Sequence, residues 1–350
     1  MIITILAFIF VISLLIIVHE FGHFIMAKWC GVQVLSFAIG YGPKLVSFKS
    51  GETEFSIRLI PLGGFVKMGG MEGNVIEGYE EVSIPPEKRF DHKPLWQRSL
   101  IVAAGPIMNI VLSIVLLFIV FSVTGIPAGN LKVQEVVAGG PADRAGIKVG
   151  DVILAVNGRS ASNLDEVVSI ISSHPGEEIE LTVKRGEEEM ILKVIPEWNE
   201  TEKRALIQVV FGIENKRLNP FLTLFHSAKT TISWFVLTAL GLLYVILGKI
   251  PAEMAGPLGI AQIAGQAAQL GFLNLLMFSA VVSVSLALFN LLPIPVLDGG
   301  YLLLFLYEKI RGKPLEPEKV GWVYFIGIIL IFSLAIFVAY QDIMRIVAGK

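Results

Sequence analysis

The chain has 350 residues, of which 54% are hydrophobic and 17% are charged, and its mean hydropathy is +0.71. Soluble globular proteins carry about 25% charged residues, so this composition indicates a membrane protein. The formal net charge of −2, without a basic stripe or tail, gives no reason to expect nucleic acid as a partner. The single cysteine, Cys30, excludes an internal disulfide and a metal site built from cysteines.

The first apolar run covers residues 2–27 and predicts a retained transmembrane helix rather than a secretory signal peptide. No Lys or Arg precedes it, no small-residue cleavage pattern follows it, and it exceeds the ~7–15-residue apolar core of a signal peptide. Three further runs approach or exceed the ~20 residues that cross a bilayer: residues 100–124, 272–297 and 320–340. A fifth run, 231–247, is shorter and ambiguous.

Lysine and arginine beside these runs set the predicted orientation, because cationic flanks stay in the cytoplasm. Lys28 follows the first run, and four cationic residues precede the second: Lys88, Arg89, Lys93 and Arg98. Four more lie in the link between the last two runs: Lys309, Arg311, Lys313 and Lys319. Both links are then cytoplasmic, which favours four crossings. Residues 219–265 are therefore predicted as an extracytoplasmic helical region, with 219–249 amphipathic on the outer leaflet. The alternative is that 231–247 crosses fully.

Between the second and third runs, residues 129–197 predict a small inserted α+β domain. Alternating "LKVQEV" and "EIELTVKR" segments, Gly and Asn-Gly turns and a short helical "NLDEVVSIISS" are typical of a half-buried β domain. The phrase "PADRAGIKVGDVILAVNG" resembles bacterial PDZ domains. Such domains bind peptides by adding a strand to a sheet edge, although the same shape can act only as a steric filter.

The link at residues 31–97 is also expected to be structured in part. Strand-like alternation in "VLSFAIGYG", "KLVSF" and "TEFSIRLIPLGGFVKM" surrounds a predicted turn at Ser50 and Gly51. The apolar half of this β region can dip into the membrane if its backbone groups are paired or face water. An acidic connector is expected after it, around residues 72–81.

The sequence "HEFGH", residues 19–23, places two imidazoles and a carboxylate within the first apolar run. In a helix, residues four apart share one face, so His19 and His23 can both aim a ring nitrogen at one metal ion. This is the H-E-x-x-H arrangement of zinc hydrolases, in which the histidines bind Zn²⁺ and Glu20 takes a proton from the attacking water. Ionisable groups cost several kcal/mol within a bilayer and are rarely kept there without function.

A catalytic zinc needs a third protein ligand and an open position. The best candidate is Asp298, in "NLLPIPVLDGG", since it and Glu20 are the carboxylates associated with the apolar runs. Two prolines interrupt the segment before it, and two glycines after it permit a close backbone approach. The other histidines have no partner at ligand spacing: His92, His174 and His226.

Together, "HEFGH", "AAGPIMN" at 103–109, the PDZ-like insert and "NLLPIPVLDGG" resemble the site-2 protease family of intramembrane zinc metalloproteases, in particular the bacterial regulator-of-sigma-E proteases. The likeness runs nearly end to end and includes "GGFVKM" at 63–68. It implies a multi-pass helical membrane protein of about four transmembrane helices with a re-entrant β hairpin. The expected domains are a first core part at 1–126, the insert and a second core part at 272–350. Some relatives carry two PDZ domains, whereas this insert holds one.

The resemblance also implies roles for individual residues. His19, His23 and Asp298 would hold zinc and Glu20 would be the base, as the residues themselves indicate. A re-entrant edge strand would pair with the unwound substrate through Gly63, Gly64, Phe65, Val66, Lys67 and Met68. Two asparagines, Asn109 and Asn290, would complete the substrate-binding set. At both asparagines the alternative is a purely structural role, as a cap or packing residue.

The predicted function is intramembrane endopeptidase in regulated intramembrane proteolysis. By resemblance, the partners are single-pass membrane proteins, among them anti-sigma factors already trimmed by another protease and remnant signal peptides, together with membrane lipid. The resemblance places the protein in the bacterial cytoplasmic (inner) membrane with the PDZ domain outside, contacting a peptide or substrate ectodomain. The alternative is a non-catalytic membrane PDZ adaptor with a structural metal site; a metal transporter is a third reading.

Overall fold

The computed structural model describes residues 1–71, 84–161, 163–251, 256–313 and 315–347. Its helices are α1 (Ile2–Trp29), α2 (Leu95–Thr124), α3 (Pro141–Arg144), α4 (Leu164–Ser172), α5 (Pro220–Ile246), α6 (Pro257–Gln269), α7 (Phe272–Leu291), α8 (Asp298–Arg311) and α9 (Pro317–Val347). Its strands are β1 (Val34–Ser50), β2 (Thr53–Met68), β3 (Ile126–Val136), β4 (Val152–Val156), β5 (Arg159–Ser160), β6 (Ile179–Arg185), β7 (Glu188–Val194), β8 (Glu197–Asn199), β9 (Arg204–Leu206) and β10 (Val209–Lys216). The predicted acidic connector at 72–81 lies outside the described residues.

The chain divides into two compact units. The first, the helical unit, combines Met1–Val120 with Leu224–Lys350, and the second, the insert, is Phe121–Thr223. Within the described residues, five helices are long and apolar enough to cross a membrane: α1, α2, α5, α7 and most of α9. This confirms the multi-pass helical class, and α5 is a fifth candidate beside the four predicted crossings.

The fifth candidate span, α5, packs through small polar side chains rather than turning them to water. Ser227 and Thr231 are fully buried, and the Thr231 hydroxyl lies 3.3 Å from that of Ser113 in α2. These two side chains therefore do not belong to a polar, water-facing side of the kind expected for the amphipathic helix predicted at 219–249. Lys229 does remain exposed.

The third apolar run, residues 272–297, is helical only in its first part. α7 ends at Leu291, and a loop leads to α8, which begins at Asp298. Pro293 and Pro295 have no amide hydrogen to donate and their rings hinder a continued helix, although the loop is as apolar as a membrane span. Other predicted ends are short by a few residues, because α1, α2 and α9 continue beyond their apolar stretches.

Strands β1 and β2 form an antiparallel hairpin whose turn lies at the predicted Ser50–Gly51 position. The hairpin curls, so that residues 36–39 of β1 pair with 54–57 on one side and with 64–67 on the other. The segment 64–68 is therefore an edge, with β1 on one side and no described strand on the other. Val66 and Met68 pack in one apolar cluster with Ala27 of α1 and Phe305 of α8, which holds the edge beside these helices.

The insert contains a sheet in the order β10-β3-β4-β6-β7, with β5 paired to β4 and a separate β8-β9 pair. Its apolar core includes Leu131, Ile153, Leu181 and Val167 of α4. The compact unit is wider than the predicted 129–197, because β10 returns to pair with β3 along its length. The alternation of apolar and polar residues predicted strands in this region, but it does not reveal that β10 returns to pair with β3.

Candidate metal centre

Two imidazoles of α1 and one carboxylate of α8 converge within the helical unit. The Nε2 atoms of His19 and His23 are 3.2 Å apart. Asp298 places Oδ2 3.2 Å from Nε2 of His19 and Oδ1 3.6 Å from Nε2 of His23. Within the part of the chain that the structure describes, this is the group of His, Cys, Asp or Glu side chains that can hold a metal ion, and it joins residues near the two ends of the chain.

The loop before α8 brings Asp298 to the histidines. A Cβ on Gly299 would lie 2.2 Å from the carbonyl oxygen of Leu292, and one on Gly300 would lie 2.4 Å from that of Ile294. The two glycines therefore allow the loop to fold tightly onto the first turn of α8. Val296, a β-branched residue, has φ of 81°, a costly conformation that clusters at functional sites.

Helix α2 packs directly against the rings of His19 and His23. A Cβ on Gly105 would lie 2.3 Å from Nε2 of His23 and 2.8 Å from Cε1 of His19, so a larger residue would fill the space that the rings occupy. Gly22 has the complementary role on α1, since a Cβ there would lie 2.4 Å from the carbonyl oxygen of Ala104. The close approach of α1 and α2 thus depends on a glycine in each motif.

Asn109 lies on the side of His19 that faces α2. Its side chain is fully buried, its Nδ2 is 3.2 Å from Nδ1 of His19, and its backbone carbonyl accepts a hydrogen bond from Ser283 of α7. The substrate-binding role of Asn109 stays a prediction, and in this structure its buried side chain contacts a candidate metal ligand and is not among the residues that line the adjoining cavity. In the present orientation its Oδ1 makes no hydrogen bond within the described residues.

The three converging side chains fit a tetrahedral zinc ion. Zn–N and Zn–O bonds of about 2.0–2.1 Å place tetrahedral ligands about 3.3 Å apart, close to the 3.2 Å between the two Nε2 atoms and the 3.2 Å from Nε2 of His19 to Oδ2 of Asp298. Oδ2 of Asp298 is buried and makes no hydrogen bond within the described residues. A buried carboxylate oxygen without a donor is costly unless a cation lies against it, so the donor set fits the metal that the sequence predicts.

A cavity of about 370 Å³ adjoins the convergence point. Glu20 lines this cavity together with the three candidate ligands. The predicted substrate-binding residues Phe65, Val66, Met68 and Asn290 also line it. Gly64 lies against Glu20, with a distance of 3.2 Å from an added Cβ to Cγ of Glu20. Neither Gly63 nor Lys67 is among the lining residues.

Sequence reasoning missed several lining residues, among them Tyr41, Val296 and Tyr301. Tyr301 follows Asp298 by three residues and therefore shares its helix face, so helical periodicity was a usable signal. Nothing in the local sequence marks Tyr41, which reaches the cavity only because the hairpin curls.

Comparison with known proteins places this site in a family. The model described as Peptidase family M50 matches residues 7–334. The regulator of sigma-W protease RasP of Bacillus subtilis is 31% identical and covers 98% of this chain and 99% of its own. The zinc metalloprotease RasP of Geobacillus kaustophilus is 32% identical and covers 98% of each chain. A solved PDZ domain of the SdrC-like protein of Listeria monocytogenes aligns with 25% of this chain and 90% of its own, at 17% identity and a TM-score of 0.23.

Helices of membrane-spanning length and a His-His-Asp centre beside a glutamate define a membrane-embedded metallopeptidase. The chain belongs to peptidase family M50, and the resemblance recognised in its motifs is confirmed. It is a metalloendopeptidase.

Proposed function

We propose that this protein hydrolyses peptide bonds within or beside the transmembrane segment of single-pass membrane proteins, with Zn²⁺ as its cofactor. The observation that carries the proposal is the convergence of His19, His23 and Asp298 next to Glu20, in a cavity bordered by an open strand edge. The relatives named zinc metalloproteases support the choice of metal. A Zn²⁺ ion held by His19, His23 and Asp298 would polarise the scissile carbonyl and lower the pKa of the attacking water.

Glu20 is the general base. It follows His19 directly on α1, so it projects about 100° around the helix from the ligand, and it lines the cavity in which the carbonyl must lie. Its carboxylate takes a proton from the attacking water and passes it to the leaving amine. Asn290, on the same wall, donates its amide hydrogens to backbone carbonyls of the substrate.

The segment 63–68 binds the substrate as an added strand. A helical substrate hides its scissile carbonyl in its own hydrogen bonds, and unwinding it in lipid leaves backbone groups that need new partners. The edge at 64–68 has a free side that offers such partners next to Glu20. Strand addition of this kind derives its affinity from main-chain hydrogen bonds, so it suits substrates of different sequence.

The hairpin enters the membrane as a re-entrant element. Its apolar side chains are exposed in the isolated chain, among them Leu45, Phe48 and Leu59. One pair of opposite charges is matched between the strands, since Nζ of Lys44 lies 2.8 Å from a carboxylate oxygen of Glu54. Because the strands satisfy one another's backbone groups, the exposed apolar face can contact lipid at little cost.

The substrates are anti-sigma factors trimmed by a previous protease and remnant signal peptides, and the protein resides in the bacterial cytoplasmic membrane. The B. subtilis relative carries the name of a sigma-factor regulator, which supports this class. The insert is extracytoplasmic and excludes substrates with bulky ectodomains, while the metal centre faces the cytoplasmic side. Membership of a peptidase family favours this enzymatic reading over the adaptor and transporter alternatives.

The test uses purified protein in phosphatidylcholine vesicles with a fluorescent single-pass peptide whose Leu/Ala span is interrupted by Gly-Pro. Glu20→Gln preserves the size of the side chain but removes the base, so we expect cleavage to fall about 10²–10⁴-fold with unchanged zinc content. Glu318→Gln, at an exposed position in the first turn of α9, serves as the matched control. Cleavage by Glu20→Gln at the wild-type rate excludes Glu20 as the base.

A further inference from the structure

The hydroxyl of Tyr41 already occupies part of the open edge beside the metal centre. Its oxygen donates a hydrogen bond to the backbone carbonyl of Gly64, with 3.3 Å between the oxygens. The Tyr41 ring also stacks on Phe65, with centroids 6.2 Å apart and planes 24° from parallel. One side chain thus covers both a backbone acceptor and a side chain of the edge segment.

The carbonyl of Gly64 belongs to the free side of this edge. Backbone groups of residues two apart along a strand point to the same side, so Gly64 and Val66 present theirs together. The Val66 backbone interacts with the carboxylate of Glu20, and Gly64 packs against the same side chain. The free side therefore faces the catalytic base, and Tyr41 covers its first acceptor.

The backbone on either side of Tyr41 is suited to a change of position. Gly40 and Gly42 have φ of 89° and 83°, values that glycine adopts readily and other residues rarely do. The side chain is 44% exposed, so it can leave the edge without creating a hole in a packed core. Gly63, whose added Cβ would lie 2.1 Å from Cε2 of Tyr41, provides the space for the ring.

We infer that Tyr41 is a specificity-determining residue that holds the place of the substrate strand at Gly64 and must leave when that strand binds. The inference rests on the proposed strand addition at 63–68. A substrate whose extended segment reaches Gly64 donates a backbone N–H to the Gly64 carbonyl in place of the Tyr41 hydroxyl. A substrate with a shorter unwound segment makes no such hydrogen bond and gains nothing from displacing Tyr41. Tyr41 therefore selects substrates by the length of chain that they can unwind.

The inference is tested by binding to an inactive enzyme, so that chemistry does not enter the measurement. In a Glu20→Gln background, the same single-pass peptide is titrated in vesicles with and without Tyr41→Phe. The phenylalanine retains the ring and removes the hydrogen bond that the substrate has to replace. We expect the Kd to fall about 3- to 10-fold. Tyr244→Phe, at a tyrosine in α5 with 43% exposure, should leave the Kd unchanged.

A second peptide series locates the effect. Replacing one backbone amide at a time by an ester removes one N–H, and the gain from Tyr41→Phe should disappear at a single position, the residue opposite Gly64. An unchanged or weaker affinity of Tyr41→Phe overturns the role of Tyr41, as does a gain that no ester abolishes. If no ester weakens binding in either background, strand addition itself is wrong, while the Glu20 test of the metallopeptidase remains valid.

Discussion

Nδ1 of His23 lies 2.9 Å from the backbone carbonyl oxygen of Ile101 and donates a hydrogen bond to it. A carbonyl can only accept, so Nδ1 carries a proton, and Nε2, which lies toward His19 and Asp298, is left as the nitrogen that can bind a metal. This is the tautomer that a zinc ligand requires. Helix α2 thus determines the protonation of a histidine on α1, and it contacts the second histidine through Asn109.

Asn109 should control the affinity of the site for zinc. Binding through Nε2 of His19 requires a proton on Nδ1, and the amide of Asn109 must then turn its Oδ1 toward the ring. We expect Asn109→Leu to weaken zinc binding about 10–100-fold, as is usual when the partner of a ligating histidine is lost. The measurement is competition with a chromophoric chelator.

Asn109→Asp is the matched control for this prediction. A carboxylate accepts the Nδ1 hydrogen as well as an amide oxygen does, so zinc affinity should stay at or above the wild-type level. If the leucine variant holds zinc as tightly as the wild type, the contact with His19 has no bearing on metal binding.

The Asp298→Ala variant should bind zinc more weakly than Asn109→Leu does. It removes a direct ligand, so we expect the affinity to fall by more than the roughly 100-fold upper range for a supporting residue. Elemental analysis of the purified protein measures the stoichiometry. Asp91→Ala removes a carboxylate paired with Arg89 at the surface and should retain the metal. Full zinc occupancy in Asp298→Ala would mean that another side chain is the third ligand.

Much of this metal centre could be predicted because ionisable side chains are rare within apolar, membrane-spanning runs. Glu20, the two histidines and Asp298 are polar residues within or beside apolar runs, and helical spacing alone aligned the histidines. The role of Asn109 could not be predicted, since a helix position does not reveal whether it faces a cavity or a neighbouring ring. Tyr41 escaped notice for a related reason: alternation identifies strands, but the curl that brings residue 41 to residue 64 depends on pairing between distant segments.

The relative direction of α1 and α7 limits the number of membrane crossings between them. Gly265, in α6, packs against Thr4 at the start of α1, and Phe272 at the start of α7 contacts Phe10. Beyond the end of α7, Asp298 meets His19. The two helices therefore run in the same direction, which requires an odd number of crossings between them, and α2 alone supplies one. If α5 crossed fully, the chain would have to return before α7, and α6, with 13 residues, spans only about 20 Å of the roughly 30 Å core.

Thiol labelling in whole cells distinguishes these topologies. In a Cys30→Ser background, single cysteines replace Glu187 in the insert, Lys249 after α5 and Lys313 after α8. An impermeant reagent applied from outside should label positions 187 and 249 and leave 313 unlabelled until the membrane is opened. Protection of 249 would show that α5 crosses, and external labelling of 313 would reverse the predicted orientation.

The stability of the insert should depend on one ion pair. Asp151 is buried and accepts two hydrogen bonds of 2.8 Å from Arg185, and one of 2.9 Å from the backbone N–H of Lys148. Burial alone would raise the pKa of Asp151, but these bonds outweigh it and hold the pKa below its ordinary value. The stabilisation is therefore present above the unfolded pKa of about 3.9 and is lost as the pH falls through the lower folded value.

Asp151→Asn retains the shape of the side chain and removes its charge, so we expect the insert to lose about 1–3 kcal/mol at pH 7. Hydrogen–deuterium exchange of β4 and β6 amides in the full-length protein measures this loss as faster opening. The ratio of wild-type to variant protection at a given pH cancels the intrinsic exchange rates. That ratio should shrink as the pH falls below about 4, and Glu187→Gln, at an exposed turn, should give a ratio near one throughout. Equal protection of wild type and Asp151→Asn at pH 7 would contradict the stabilising role of the Asp151–Arg185 pair.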